Sequence, residues 1–289
     1  MNTTNDNKVM ACVDHSPYAH VVADYAAWAA VRLQAPIELL HVIDKHDQPS
    51  RVKDHSGTIG LDAHEALLKQ LSDEDRTKAQ QAKEQGRVFL AALRARAVAH
   101  GAHEVDMRQR YGQLQDTLAE RAHGVRLVVL GRKGASASEH NHALGRHVEQ
   151  MVRAVQKPIL AVTNAFVEPQ RVMLAFDGGA ATRRGVETLA RSPLLKGLPI
   201  RIQMSGAKKH ENVVQLQWAQ SQLRQAGFEV TGDIQEGEPA TVIAQAIKDH
   251  GIDLLVMGAY SHAPWRKWLF GSHTNELLRA VEVPTLLLR

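Results

Sequence analysis

The chain has 289 residues, 44% of them apolar and 23% charged, with a formal net charge of +4. This balance excludes a mostly disordered chain, and at roughly 150 residues per domain the length predicts about two domains. No apolar run approaches the roughly 18 residues that span a bilayer, no run of Lys/Arg exceeds two residues, and the single cysteine, Cys12, excludes an intrachain disulfide or a cysteine-rich zinc motif.

In chain order, the first signal is Lys8-Val-Met-Ala-Cys-Val-Asp14-His-Ser16, a basic residue opening an apolar run that ends in Asp. It predicts a buried strand over Val9–Val13, with a helical pattern at Tyr18–Leu33 and a second strand at Ile37–Val42. A polar stretch and a long charged helical pattern, roughly Ala63–His100, come next. Strands follow at Val105–Gln109 and Leu127–Leu130, with a helix at Leu114–His123 between them. Gly131-Arg-Lys-Gly134 closes the fourth strand, Gly145-Arg146 opens a helix, and Ile159–Val162 is the fifth strand.

The series then starts again. Arg171-Val-Met-Leu-Ala-Phe-Asp177-Gly-Gly179 repeats the opening, and Pro199 stands as far beyond Asp177 as Pro36 beyond Asp14. Strands are predicted at Val172–Phe176, Ile200–Met204, Glu229–Ile234, Leu254–Met257 and Thr285–Leu288, with helices including Val213–Ala226 and Ala240–His250. Gly124–Gly131 matches Gly251–Gly258, and Lys157–Val162 matches Val283–Leu288. So long a period means a duplicated domain rather than a solenoid. The expected domains are residues 1–168, with an insert at about 44–86, and residues 169–289. Alternating buried strands and helices predict an α/β fold: two doubly wound, mostly parallel five-stranded sheets with helices on both faces. The insert reads as an amphipathic helix packed over the sheet, with a lid or partner-binding arm as the alternative.

Such sheets bind ligands beyond the carboxyl ends of their strands. The residues there are Asp14, Gly131, Gly134 and Gly145 in the first copy. In the second they are Asp177, Gly258, Ser261, Gly271, Ser272 and His273. Gly271-Ser272 at a helix N-terminus suits an anion, and a carboxylate after the first strand suits sugar hydroxyls or a base edge.

The full pattern resembles the universal stress protein family in tandem form. That family's nucleotide-binding members look like a strand ending in Asp, then Gly-x2-Gly-x9-Gly-Ser/Thr after the fourth strand. The second copy reads Gly258-x2-Ser261-x9-Gly271-Ser272, and its Gly237-Glu-Pro239 is similar to the family's Gly-x-Pro helix start. The first copy has ten residues between Gly134 and Gly145, and Arg146 where Ser or Thr is expected, so it reads as the degenerate copy. The resemblance implies ATP or AMP, with or without magnesium, in the second copy. Adenine would lie near Asp177 and Met204-Ser205, and the phosphates on Gly258, Ser261, Gly271, Ser272 and the His273 amide. Lys267 and Arg266 add charge or are solvated, and Trp265 and Trp268 pack the loop. The resemblance also implies pairing of the two last strands within the chain.

P-loop, dinucleotide-fold and nucleophile-elbow motifs are missing. The expectation is therefore a cytoplasmic binding and signalling protein, with at most slow ATP hydrolysis or autophosphorylation at Ser272 or Thr274. No nucleic acid or membrane partner is expected, the protein partner is unknown, and a homodimer fits the pattern. The alternative is a nucleotide-free adaptor that binds another ligand in the clefts between the copies. His46, His55, His64, His140, His142 and His147 raise a metal site, but their spacing fixes no tetrahedral set.

Overall fold

The computed structural model describes residues 7–43, 61–132, 144–163, 165–258 and 277–288. The first half runs β1 (Lys8–Val13), α1 (Ala19–Leu33), β2 (Ile37–Ile43), α2 (Leu61–Ala99), β3 (Val105–Tyr111), α3 (Leu114–Arg121), β4 (Val125–Gly131), α4 (Leu144–Ala154) and β5 (Ile159–Val162). The second half runs β6 (Val172–Ala175), α5 (Ala180–Arg191), a 3-10 turn (Pro193–Leu195), β7 (Ile200–Ser205), α6 (His210–Gln225), β8 (Val230–Gln235), α7 (Pro239–Asp249) and β9 (Leu254–Gly258). Residues 277–280 are helical and lead into β10 (Thr285–Leu288).

All ten strands form one sheet, in the order β3-β2-β1-β4-β5-β10-β9-β6-β7-β8. Neighbours within each half are parallel. β5 and β10 meet antiparallel, with Ile159 opposite Leu287 and Ala161 opposite Thr285. The order is palindromic about this seam, as a pseudo-two-fold requires. The expected pairing of the last strands is present, and it removes two apolar edges that would otherwise template association. The outer strand β3 instead exposes Asp106, Arg108 and Arg110 on alternate positions.

The strands are unbroken apolar runs because both faces are covered. Val9, Ala11 and Val13 of β1 join the cluster beneath α1, α2, α5 and α6, whereas Met10 and Cys12 join the cluster beneath α4 and α7. Cys12 packs as a small apolar side chain, and burial pushes its thiol up to about 12, with the Glu38 charge adding to the effect. One buried carboxylate, Glu38 on β2, is held by Lys8 at 2.8 Å and by both Arg121 donors at 2.9 and 2.8 Å.

α1 is alanine-rich because it is enclosed. Ala23, Ala26, Ala27, Ala29 and Ala30 are all buried between the sheet and its neighbours. The carboxyl-terminal half of α2 lies on it through Leu90, Leu93 and Ala97. Arg96 of α2 donates to the buried Asp24 of α1 at 2.6 and 2.7 Å. The part of α2 beyond residue 86 is therefore packed on α1 over the sheet, while the side chains of residues 61–75, within the expected insert, lie outside the described residues.

The segment joining the halves is tied at both ends. Tyr25 Oη donates to the Val167 carbonyl at 3.0 Å and accepts from its amide at 3.2 Å. The Asp253 carboxylate accepts from the Gln170 and Arg171 amides at 2.9–3.0 Å. Among the described residues no helix is long and apolar enough to cross a membrane.

Candidate functional site

In each half the first and fourth strands are neighbours, β1 with β4 and β6 with β9. The strand order reverses there, with β2 and β3 to one side of β1 and β5 beyond β4, so a crevice opens beyond their carboxyl ends. Asp177 follows β6 at this point. Its Oδ1 accepts from the Gly179 amide at 2.8 Å and from Thr182 Oγ1 at 2.6 Å. These bonds fix the carboxylate against the first turn of α5. Among the described residues Oδ2 has no partner, and Asp177 is exposed. The carboxylate is thus oriented with one oxygen left to accept from a ligand.

Gly258 ends β9 beside the same turn. A Cβ built there would lie 3.1 Å from Thr182 Cγ2 and 3.4 Å from the Thr182 amide nitrogen. A side chain would push the strand end off α5, so glycine is needed for this internal approach. Asp177 and Gly258 share one corner through Thr182, which the sequence reading did not single out. A hydroxyl five residues beyond Asp177 was the available signal.

Ser205 ends β7, where the base is expected, and its hydroxyl donates to the Gly237 carbonyl at 2.6 Å. Gly237 has a φ of +144°, and Glu238 caps α7 by accepting from the Ala240 amide at 2.7 Å. With Pro239 as the first helical residue, this accounts locally for the Gly-Glu-Pro sequence. Behind the crevice Arg183 stacks over Trp218 at 4.7 Å and donates to Gln215 Oε1 at 3.0 Å, clamping α5 to α6. Ser261, Gly271, Ser272 and His273 lie outside the described residues, as do Lys267, Arg266, Trp265, Trp268 and Thr274.

The first half departs at the same places. Asp14 Oδ1 accepts from the Ser16 amide at 3.0 Å. Next to it His15, His41 and Phe89 form a ring cluster, with centroids 4.4–5.4 Å apart. His41 Nδ1 lies 3.0 Å from the Val13 carbonyl, a distance that assigns the ring proton to Nδ1. Burial holds the His41 pKa below its usual value, helped by His15 and opposed by the Val13 carbonyl and Asp14.

Gly131 ends β4, and the next residue leaves the crevice altogether. Arg132 is buried against the other half. It donates to the carbonyls of Leu278 at 3.1 Å, Val281 at 2.6 Å and Val283 at 2.5 Å, and to Thr285 Oγ1. Burial pulls this guanidinium down to about 10. Gly145 lies in the first turn of α4, while Gly134 and the Arg146 side chain lie outside the described residues. So do His46, His55, His140 and His142, and the side chains of His64 and His147. Among the described residues no three His, Cys, Asp or Glu side chains converge.

Comparison with known proteins bears on the same arrangement. Residues 7–163 and 198–289 match the model of the universal stress protein family. The chain is 32% identical over 284 residues to universal stress protein Slr1230 of Synechocystis, covering 97% of this chain and 99% of that one. Its fold is similar to a crystal structure of a universal stress protein from Archaeoglobus fulgidus, with a TM-score of 0.66 and 15% identity over 99% of this chain and 97% of that chain. It is also similar to a functionally unknown protein from Pseudomonas aeruginosa, with a TM-score of 0.59 and 15% identity over 100% and 94% of the two chains. A duplicated, doubly wound sheet with an Asp at the head of each crevice, matched to one family along nearly its whole length, makes this chain a tandem member of the universal stress protein family.

Proposed function

We propose that the second half binds an adenine nucleotide, ATP or AMP, and that the protein acts in a stress response by binding and signalling. The observation that carries this reading is Asp177: its carboxylate is already oriented by Gly179 and Thr182, and its other oxygen has no partner among the described residues. That oxygen would accept from ribose hydroxyls or the base edge, while Gly258, Ser261, Gly271, Ser272 and the His273 amide would surround the phosphates. Magnesium, if present, would be held by the phosphates. Asp177 is the obvious carboxylate near the proposed phosphates, so hydrolysis or autophosphorylation at Ser272 or Thr274 would be slow.

The first half is proposed to be degenerate. Its Asp14, Gly131, Gly134 and Gly145 keep part of the motif, but Arg132 is spent on the other half, and His15, His41 and Phe89 crowd the ends of β1 and β2. The division into units 1–168 and 169–289, a cytoplasmic location and a homodimer belong to the same proposal. Denaturing the purified protein and analysing the supernatant by mass spectrometry tests it. ATP, ADP or AMP near one equivalent is expected, and Ser272→Arg should abolish titrated ATP binding. Wild-type affinity in that variant would refute the site. Absence of nucleotide and of any binding heat would instead favour the adaptor reading.

A further inference from the structure

On the face that carries α1 and α5, a cavity of about 430 Å³ lies across the seam between the halves. Its floor is aliphatic. Leu127 comes from β4 and Leu286 and Leu288 from β10, core side chains that are 2–3% exposed in all. Its rim is cationic, with Arg126 on β4 and Arg184 and Arg191 on α5. Among the described residues neither Arg184 nor Arg191 has an ion-pair partner, and Arg126 donates to the neutral Asn7 Oδ1 at 2.9 Å. Among the described residues one carboxylate, Glu187, shares the rim, so their charges there sum to an excess of two positive.

The volume falls in the range of roughly 300–1,000 Å³ typical of small-molecule sites. The chemistry of the lining narrows the ligand. Among the described residues no aromatic ring lines the cavity, so none of them would stack on a nucleobase or another flat ring. An alkyl chain on leucines, with an anionic head among guanidinium groups, satisfies both parts. We propose that this cleft is a binding site for a medium-chain fatty carboxylate. The chain would lie on Leu127, Leu286 and Leu288, and the carboxylate would be shared by Arg184 and Arg191. The cleft is distinct from the crevice of Asp177 and does not rest on nucleotide binding.

The test is calorimetric titration of the full-length protein with decanoate, in parallel with decanol, which has the same chain and no charge. Decanoate should bind at one equivalent and at least about tenfold more tightly than decanol, because the arginines discriminate by charge. Arg184→Gln with Arg191→Gln should weaken decanoate by about tenfold or more and leave decanol unchanged. Both residues are exposed on α5, so an unchanged thermal midpoint is expected to confirm that the variant is folded. Raising the salt should weaken decanoate in the wild type and have little effect in the double variant. Equal binding of decanoate and decanol, no decanoate binding at millimolar concentration, or wild-type decanoate affinity in the folded double variant would overturn the proposal.

Discussion

Replacing Arg132 with methionine should destabilise the protein by about 3 kcal/mol. The side chain reaches from the end of β4 to four acceptors in the other half: the carbonyls of Leu278, Val281 and Val283, and Thr285 Oγ1. Methionine keeps the apolar stem and removes every donor. Thr285 Oγ1 lies 3.4 Å from the Val283 carbonyl and can turn toward it, so that pair partly satisfies itself. A cavity of about 560 Å³ bordered by Arg132, Val281 and Val283 admits water to part of what remains. About two buried acceptors are left without a good partner, at roughly 1–3 kcal/mol each. Against this stands relief of the guanidinium's own burial cost, which is real because its pKa falls to about 10 and its Nε has no partner among the described residues. The assay is urea denaturation followed by tryptophan fluorescence, with the slope expected to stay constant. Arg132→Lys should recover less than half of the loss, because one ammonium cannot span acceptors arranged for a fork. A loss below about 1 kcal/mol for Arg132→Met would refute the reasoning, since one ordinary hydrogen bond contributes that much.

Three further outcomes are expected. The two cations around Glu38 hold its pKa below the usual carboxylate range despite the opposing effect of burial, so its stabilisation is complete above the unfolded value of about 4.3 and is lost as pH falls through the folded value. Glu38→Gln should cost about 2 kcal/mol at neutral pH and flatten the acid limb of a plot of thermal midpoint against pH. His41 has a depressed folded pKa, so the unfolded chain binds more protons once pH drops below about 6.5, and stability falls there. His41→Phe should remove that part of the pH dependence, which the same thermal scan would read. Gln34 closes α1 with a φ of 51°, a left-handed conformation costly for a side chain, so Gln34→Gly should raise stability by about 0.5–1 kcal/mol in denaturant titration.

Much of the fold was legible because buried parallel strands must be apolar on both faces. Runs such as Val9–Val13 and Leu254–Met257 can hardly be anything else, and their repetition exposed the duplication. Asp14 and Asp177 were legible as strand-end carboxylates. Their local partners were less so: Thr182 is a common residue near a helix start, and only the close pass of Gly258 gives it a role. Arg132 was misleading in the opposite sense. It sits inside a glycine motif associated with anions, yet its partners lie about 150 residues away in sequence, and nothing local encodes that distance. The clamp of Arg183 on Gln215 and Trp218 was hidden for the same reason.

The tether between the halves has a mechanical consequence. Tyr25 grips Val167, and Asp253 grips the amides of Gln170 and Arg171, while β5 and β10 are zipped side by side. Such a connection is a weld, with no pivot about which one lobe could swing. Whatever occupies a crevice in this chain must make itself known through loops and surface shape near the occupied pocket, because opening and closing of the whole body would first have to tear the central strands apart.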